Sequence, residues 1–278
     1  MKHKSRIGST LGRFILTFFL NILAVLTLLP FYWMFVMSTQ STIDIFSKPS
    51  LLPGSYILQN FKSILDVNYF GAFFNSFYVA IASMVLTVFF SALAGFSFSK
   101  YNFKFKNILF VCVIATLLVP QEVGLVAYVW EMRLMGLSRT LLPLILPNIA
   151  NAFGVFWMKQ YMEESVPYEI MESGWMDGCN DFRIFIQLVF PIIKPAVFTL
   201  AVIGFMASWN SYMLPLVIIS KPSMYTIPLA IGLVGTWYLP DYGARLLGVV
   251  IGIMPLLLIF VFASKVITRG LTAGAIKG

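Results

Sequence analysis

Six carboxylates crowd one stretch of a chain otherwise poor in charge: Glu163, Glu164, Glu169, Glu172, Asp177 and Asp181, all between Lys159 and Pro195. Elsewhere the polar groups able to meet a solute are few and set in apolar surroundings, as Gln121, Asn148, Asn151, Trp209, Asn210 and Tyr212. Bond-making chemistry needs more than these. His3 is the only histidine, and Cys112 and Cys179 are the only cysteines, so neither a thiolate or imidazole metal site nor a disulfide framework is expected. Both thiols read as packing residues. No pair of carboxylates, metal-ligand cluster or nucleophile–base constellation occurs in the apolar segments, so no catalytic residue and no metal ligand is assigned. The chain also lacks Gly-x-x-x-x-Gly-Lys-Ser/Thr, the loop that cradles nucleotide phosphates, and no cofactor is expected on it. What remains is hydrogen bonding by neutral side chains and docking through an acidic segment.

The elements that hold these groups must sit in lipid. Of 278 residues, 59% are hydrophobic and 11% charged, against about 25% charged in a soluble domain, and mean hydropathy is +0.88. A water-soluble fold of this size leaves too much surface exposed to hide that apolar content. A bilayer core of roughly 30 Å needs about 20 apolar residues of helix. Six segments meet that need: Phe14–Met37, Phe70–Phe98, Ile108–Trp130, Thr140–Met158, Ala196–Ile219 and Leu246–Ser264. The first follows Lys2, Lys4, Arg6 and Arg13, but its 24 uncharged residues exceed a signal-peptide apolar region of about 7–15, and no small-residue cleavage site follows, so it reads as an anchor. Met224–Leu239 is also uncharged, but Pro228, Pro240, Gly232 and Gly235 crowd it, and it reads as a partly buried loop or re-entrant element.

The expected fold is therefore all-α: a polytopic membrane protein with six transmembrane helices. Basic residues cluster in 1–13, 99–107, 159–195 and 265–278, whereas the opposite loops hold only Lys48, Lys62, Arg133, Arg139, Lys221 and Arg245. This asymmetry puts both termini in the cytoplasm. It also accounts for the net charge of +8 without nucleic acid. The organisation that follows is a cytoplasmic N-terminus (1–13), a transmembrane domain (14–264) containing a cytoplasmic loop (159–195), and a cytoplasmic tail (265–278). Prolines and glycines recur within the spans, among them Pro30, Gly95, Pro120, Gly154 and Pro255. They suit a bundle that packs closely and rearranges. Glu122, just after Pro120, is the one formal charge well inside a span. It either faces a cavity or partner as a gate, or, if the span ends early, is interfacial.

The acidic loop reads as two short helices. Ser165 is the expected N-cap of the first, with Pro167 in its first turn and Glu169 and Glu172 near the positive end of its dipole. Gly178 supplies a left-handed stop, and Asp181 caps the next segment. There Phe182, Phe185, Ile186 and Val189 share one face until Pro191 interrupts. On the first helix, Gly174 and Gly178 leave a bare strip beside an apolar face of Tyr168, Met171 and Trp175. Acids on the polar face suit docking to a protein; a helix lying on anionic lipid would carry Lys and Arg.

Glu172-Ser173-Gly174, Asp177-Gly178 and the Phe190-Pro191 end resemble the EAA loop of ATP-binding-cassette (ABC) importer permeases. That family's pattern is Glu-Ala-Ala, three residues, Gly, then a hydrophobic stretch ending in Leu-Pro. Glu172 matches its glutamate and Gly178 its glycine; Ser173 and Gly174 replace the alanines and keep the side chains small. Two further stretches are similar to the carbohydrate-uptake branch, and to the shorter permease subunit of the maltose importer. They are Phe205-Met206-Ala207-Ser208-Trp209-Asn210 with Leu214-Pro215-Leu216, and the tail from Arg269 to Gly278.

The resemblance implies a bacterial inner-membrane permease of a binding-protein-dependent sugar importer. A second homologous permease, two cytoplasmic ATPase subunits that hold ATP and Mg, and an extracytoplasmic solute-binding protein would accompany it. The loop would act as a cytoplasmic coupling helix between spans 4 and 5, with Glu169, Glu172, Ser173, Gly174, Asp177 and Gly178 meeting an ATPase. Its movement would drive alternating access. Gln121, Glu122, Asn148, Asn151, Trp209, Asn210 and Tyr212 are the candidate substrate-pathway residues for a carbohydrate; in-span polar groups also serve simply as interhelical hydrogen-bonders. The main rival is an ion-coupled secondary carrier or channel, against which stands the scarcity of intramembrane carboxylates and histidines.

Overall fold

The computed structural model describes residues 4–48, 50–236 and 238–275, and for 4–11, 121 and 262–275 the backbone alone. The sequence readings that rest on Lys2, His3 and the last three residues lie outside this set. The order begins α1 (Lys4–Met37), α2 (Thr42–Ser47), α3 (Ile57–Asp66), α4 (Tyr69–Lys100), α5 (Lys106–Ala115), α6 (Leu125–Leu134) and α7 (Leu142–Ile145). It continues with α8 (Ala152–Ser165), α9 (Glu169–Met176), α10 (Asp181–Ile184), α11 (Phe190–Trp209), α12 (Met213–Ile218), α13 (Ile227–Gly232) and α14 (Tyr242–Ala275). Among the described residues the only extended pairing is an isolated bridge between Gly235 and Pro240.

Among the described residues, four helices are long and apolar enough to cross a membrane: Gly12–Met37, Tyr69–Lys100, Asp181–Trp209 and Tyr242–Val261. A fifth is formed if Lys106–Leu118 and Glu122–Leu134, bent by 84°, count as one span. The third expected crossing, Ile108–Trp130, is thus not a straight helix. Val119 and Pro120 are both extended (ψ 117° and 129°), because the proline ring disfavours a helical residue before it. The fourth, Thr140–Met158, is segmented into α7, a 3-10 turn at Leu146–Ile149 and α8, with Ala150 and Asn151 outside helical geometry. The fifth differs in the opposite sense. Pro191 does not end the preceding segment: a π turn at Phe185–Val189, closed by the Phe190 N–H on the Phe185 carbonyl, widens the helix just before it. Asp181–Trp209 is consequently one helix, and it stops at Trp209, leaving α12 separate. Met224–Leu239 holds only the short α13 and a turn, as its prolines and glycines suggested.

The chain divides into two compact units, Met1–Val67 with Ile231–Gly252 and Asn68–Ala230 with Ile253–Gly278. In the first, the apolar window of α1 is wholly unburied, with Phe14, Val25 and Leu28 more than 60% exposed, as lipid or another helix would require. The buried Asn60 side chain ties α3 to the end of α1: its Nδ2 donates to the Ser38 carbonyl (2.8 Å) and the Gln40 carbonyl (2.9 Å). Gly243 of α14 approaches the same Gln40 carbonyl so closely that a Cβ would clash. Asn60→Leu should therefore lower stability by about 2 kcal/mol or more, since two carbonyls lose their buried donor; the melting temperature of the detergent-purified protein measures it.

The second unit is built on α4. Its buried stripe is almost entirely small: Ala72, Ser76, Ala80, Ser83, Thr87, Ser91 and Gly95. In lipid, close helix contact depends on such residues, because the surrounding solvent gives no hydrophobic gain for burying larger ones. Each level of the stripe has its own partner. Ser76 Oγ accepts from Ile227 N–H (2.8 Å), Ser83 Oγ accepts from Asn148 Nδ2 (3.2 Å), and Thr87 Oγ1 donates to the Asn148 carbonyl (2.7 Å). Gly154 of α8 packs on Ser91, and Gly95 on the α8 backbone at Met158 and Lys159. Near that end Phe96, Met158, Met162, Met171, Phe185 and Val189 form one buried core.

Candidate functional site: an acidic elbow and an uncharged cavity

The elbow begins where α8 ends. Helix α8 runs on past the expected loop start at Lys159, supported by the Lys159–Glu163 ion pair (2.7 Å) and by Lys159 Nζ lying 4.7 Å from the Phe110 ring centre. Ser165 is therefore the last residue of α8, not a cap; its hydroxyl donates back to the Tyr161 carbonyl. Helix α9 starts after Tyr168 with no side-chain cap. Glu169 and Glu172 occupy its first turn, exposed, at the end where the dipole favours negative charge.

Helix α9 ends as glycine dictates. Gly178 has φ +74°, its N–H donates to the Trp175 carbonyl (3.0 Å), and the Cys179 N–H donates to the Gly174 carbonyl (2.9 Å). This pair of bonds is the Schellman closure, which needs a left-handed residue at that position. Because α9 stops at Met176, Gly174 and Gly178 do not form one bare strip. Gly174 faces inward: a Cβ there would lie 2.7 Å from Ile184 Cγ1 and 3.1 Å from Leu188 Cδ1. Met171 is wholly buried beside it, so it is core and not part of an outer apolar face. Asn180, not Asp181, caps α10, accepting from Arg183 N–H (2.8 Å); Asn180 is the extended residue and Asp181 is already helical. Asp181 instead accepts from Trp175 Nε1–H (2.9 Å). Tyr101 packs edge-on against Phe96, and its hydroxyl is pushed above the usual tyrosine range, chiefly by burial and next by Asp181.

The outer surface of the elbow carries Glu169, Glu172, Ser173 and Asp177 together with Met176, which is 84% exposed. Tyr168 and Trp175 flank it in edge-to-face contact (6.0 Å). Met176 escaped the sequence reading because it lies off the Met171–Trp175 period, and its neighbours in sequence give no sign that it projects.

A cavity of 560 Å³ opens in the same unit, walled by α4, the broken α5–α6 segment, the α7–α8 break and the end of α11. Asn148 and Asn151 line it. Asn148 is largely committed to structure, through Ser83 and the Leu144 carbonyl. Asn151 gives its Oδ1 to the Gly154 N–H (2.6 Å), capping α8, and keeps its NH₂ for other partners. Trp209 is not on the wall; it is 3% exposed, stacked on Phe205 and edge-on to Phe73, each at 5.5 Å. Asn210 returns its side chain to the Met206 carbonyl, and Tyr212 is exposed ahead of α12. Glu122 is exposed in the 3-10 turn after the Pro120 break and does not line the cavity; the side chain of Gln121 lies outside the described residues. The wall adds Thr116, Tyr128, Ser208, Ser211 and Thr226. Of these only Ser208 falls in a stretch that carries the family resemblance; nothing along the chain marks the others as wall residues, because the kinks that turn them together arise from three separate helix breaks.

In the second unit an exposed acidic elbow and a cavity without charged lining among the described residues lie among apolar helices, as suits a membrane transport component. The chain belongs to the family described as "Binding-protein-dependent transport system inner membrane component", which it matches over residues 5–273, and it is accordingly embedded in a membrane. It is 32% identical over 275 residues to the arabinooligosaccharides transport system permease protein AraQ of Bacillus subtilis, covering 96% of each chain. It is 28% identical to the lactose transport system permease protein LacG of Rhizobium radiobacter, covering 93% of this chain and 94% of that one. In fold it resembles a chain from the crystal structure of a bacterial ABC transporter involved in the import of the acidic polysaccharide alginate. That match has a TM-score of 0.78 at 20% identity, over 95% of this chain and 99% of the other.

Proposed function

We propose that this chain is one permease subunit of an ATP-driven, binding-protein-dependent importer of oligosaccharides, and that it takes its driving motion through the elbow. In this reading the bundle crosses the membrane six times with both termini in the cytoplasm. A second homologous permease completes the pathway, a solute-binding protein delivers cargo from outside, and two ATPase subunits hold ATP and Mg. The sugar class rests on the relatives, whose names specify arabinooligosaccharides and lactose.

One observation supports the coupling role above the others. Helix α9 is pinned through Gly174 to Ile184 and Leu188, and these belong to the unbroken helix Asp181–Trp209. At 1.5 Å per residue its 29 residues reach about 43 Å. Ala207 and Ser208, in its last turn, line the cavity. A push on the exposed acids and Met176 would therefore move the cavity wall through a single rigid element. A partner that holds α9 differently in two nucleotide states would shift the bundle between two arrangements by its difference in affinity for them.

The test is Gly178→Arg in the complete importer reconstituted in liposomes. A side chain at φ +74° carries about 1–2 kcal/mol of strain, and the added cation lies beside the acids a partner would read. The variant should enter the membrane normally yet lose at least tenfold in ATP-driven uptake, whereas Gly178→Asn, which tolerates this backbone geometry, should retain most of it. Normal solute-stimulated ATP hydrolysis by Gly178→Arg would sink the coupling role, and uphill uptake by liposomes containing this chain alone would sink the importer reading.

A further inference from the structure

We infer that the cavity is a binding site for an uncharged, hydroxyl-rich cargo and discriminates against acidic sugars. The inference rests on the importer reading and deepens it, by assigning the chemical class of cargo to this chain's own wall.

Among the described residues, none of the side chains lining the cavity is an acid, a base or a histidine. The 560 Å³ volume lies within the range of about 300–1,000 Å³ usual for small-molecule sites. Its polar groups are set in a particular way. Tyr128 Oη donates its proton to the Pro143 carbonyl (2.7 Å), and Thr116 Oγ1 donates to the Val113 carbonyl (2.7 Å). With their single O–H already used, both oxygens have only acceptor capacity left. Asn151 is the converse: its oxygen is taken by the Gly154 N–H, which leaves the NH₂ as a pair of donors. Thr226, one of five described residues with an unpaired buried side-chain polar atom, adds a hydroxyl that a turn of its side chain brings to the cavity. It is 5% exposed and lines the cavity, and its buried hydroxyl has no hydrogen-bond partner in the protein. A buried polar atom left so is rare unless something else completes it.

A wall presenting fixed acceptors and fixed donors side by side, without charge, complements a hydroxyl group, which both gives and takes a proton bond. A carboxylate takes only. It would meet the Tyr128 and Thr116 oxygens as repelling lone pairs and would lose its hydration with no cation to compensate. The apolar remainder, including Phe153 and Leu144, suits the C–H faces of a sugar ring.

The complex of this chain with its partner permease and ATPases, held in lipid nanodiscs, is tested with two radiolabelled probes, arabinotriose and trigalacturonate, with and without a nonhydrolysable ATP analogue. The wild-type complex should retain arabinotriose in one of the two states and bind trigalacturonate at least tenfold more weakly, a comparison that requires no variant. Asn151→Asp keeps the oxygen that caps α8 while replacing the donors with charge, and should weaken arabinotriose about tenfold. Thr226→Val removes only the hydroxyl and should weaken it about threefold. Equal or tighter retention of trigalacturonate, retention of neither trisaccharide, or unchanged arabinotriose binding in both variants would overturn the proposal. The importer reading answers to liposomes containing this chain alone, and the coupling role to the Gly178→Arg complex, so either can fail while the cavity result stands.

Discussion

Replacing Gly174 with valine should uncouple the elbow from the long helix while leaving the chain in the membrane. The position has no room: a Cβ alone would lie 2.7 Å and 2.9 Å from the Ile184 side chain and 3.1 Å from Leu188. Ile184 is wholly buried and cannot swing into solvent. Two further methyls force α9 outward at a cost of about 1–3 kcal/mol, a sum the short helix cannot absorb through other contacts, since Met171 is its one fully buried side chain. We expect ATP-driven uptake to fall more than tenfold, with increased protease cleavage between Val166 and Asn180 at unchanged membrane yield. Adding Ile184→Ala should restore much of the lost uptake, because the offending atoms belong to a side chain. If Gly174→Val transports normally, α9 is not held through this contact and the rigid connection is wrong.

Gly95→Leu should be more damaging still, and no second substitution should rescue it. Here the atoms met by a Cβ are Met158 Cβ at 2.7 Å, the Lys159 backbone nitrogen at 2.9 Å and the Met158 carbonyl carbon at 3.0 Å. Backbone cannot be trimmed, so α4 and α8 must separate. The Ser91–Gly154 contact and the core around Phe96, Met158 and Met162 would separate with them. The expected result is loss of about 3 kcal/mol or more, seen as poor yield and a melting temperature lowered by several degrees. Gly204→Ala is the matched control: the nearest atoms lie at 3.8–4.0 Å, and stability should be unchanged. A well-behaved Gly95→Leu protein would refute the α4–α8 packing described above.

These two glycines also show where reading the chain residue by residue stops. Gly95 and Gly174 look alike in sequence, each a glycine inside a helix. Only the atoms brought opposite them by other segments decide that one is held by backbone and the other by a side chain. Met171 and Met176 make the same point. Both are methionines of one eight-residue helix, and burial of the first with exposure of the second follows from the direction in which α10 meets α9. Trp209, a natural candidate for stacking on a sugar, is taken up by Phe205 and Phe73, while Ser208 next to it reaches the cavity.

The sequence by itself determined that the protein lives in lipid, that it is helical, and that most of its acids collect in one elbow whose first helix ends at Gly178. These follow from properties carried by each residue locally: transfer free energy, backbone preference and charge. Its motifs also brought out the family. The tertiary structure alone decided that the crossings break where they do, and that Pro191 rides through on a π turn, so that elbow and cavity share one helix. It also decided that the cavity wall offers neutral donors and acceptors. Such features depend on which atoms of distant segments come within a few ångströms, and no periodicity along a single chain encodes that distance.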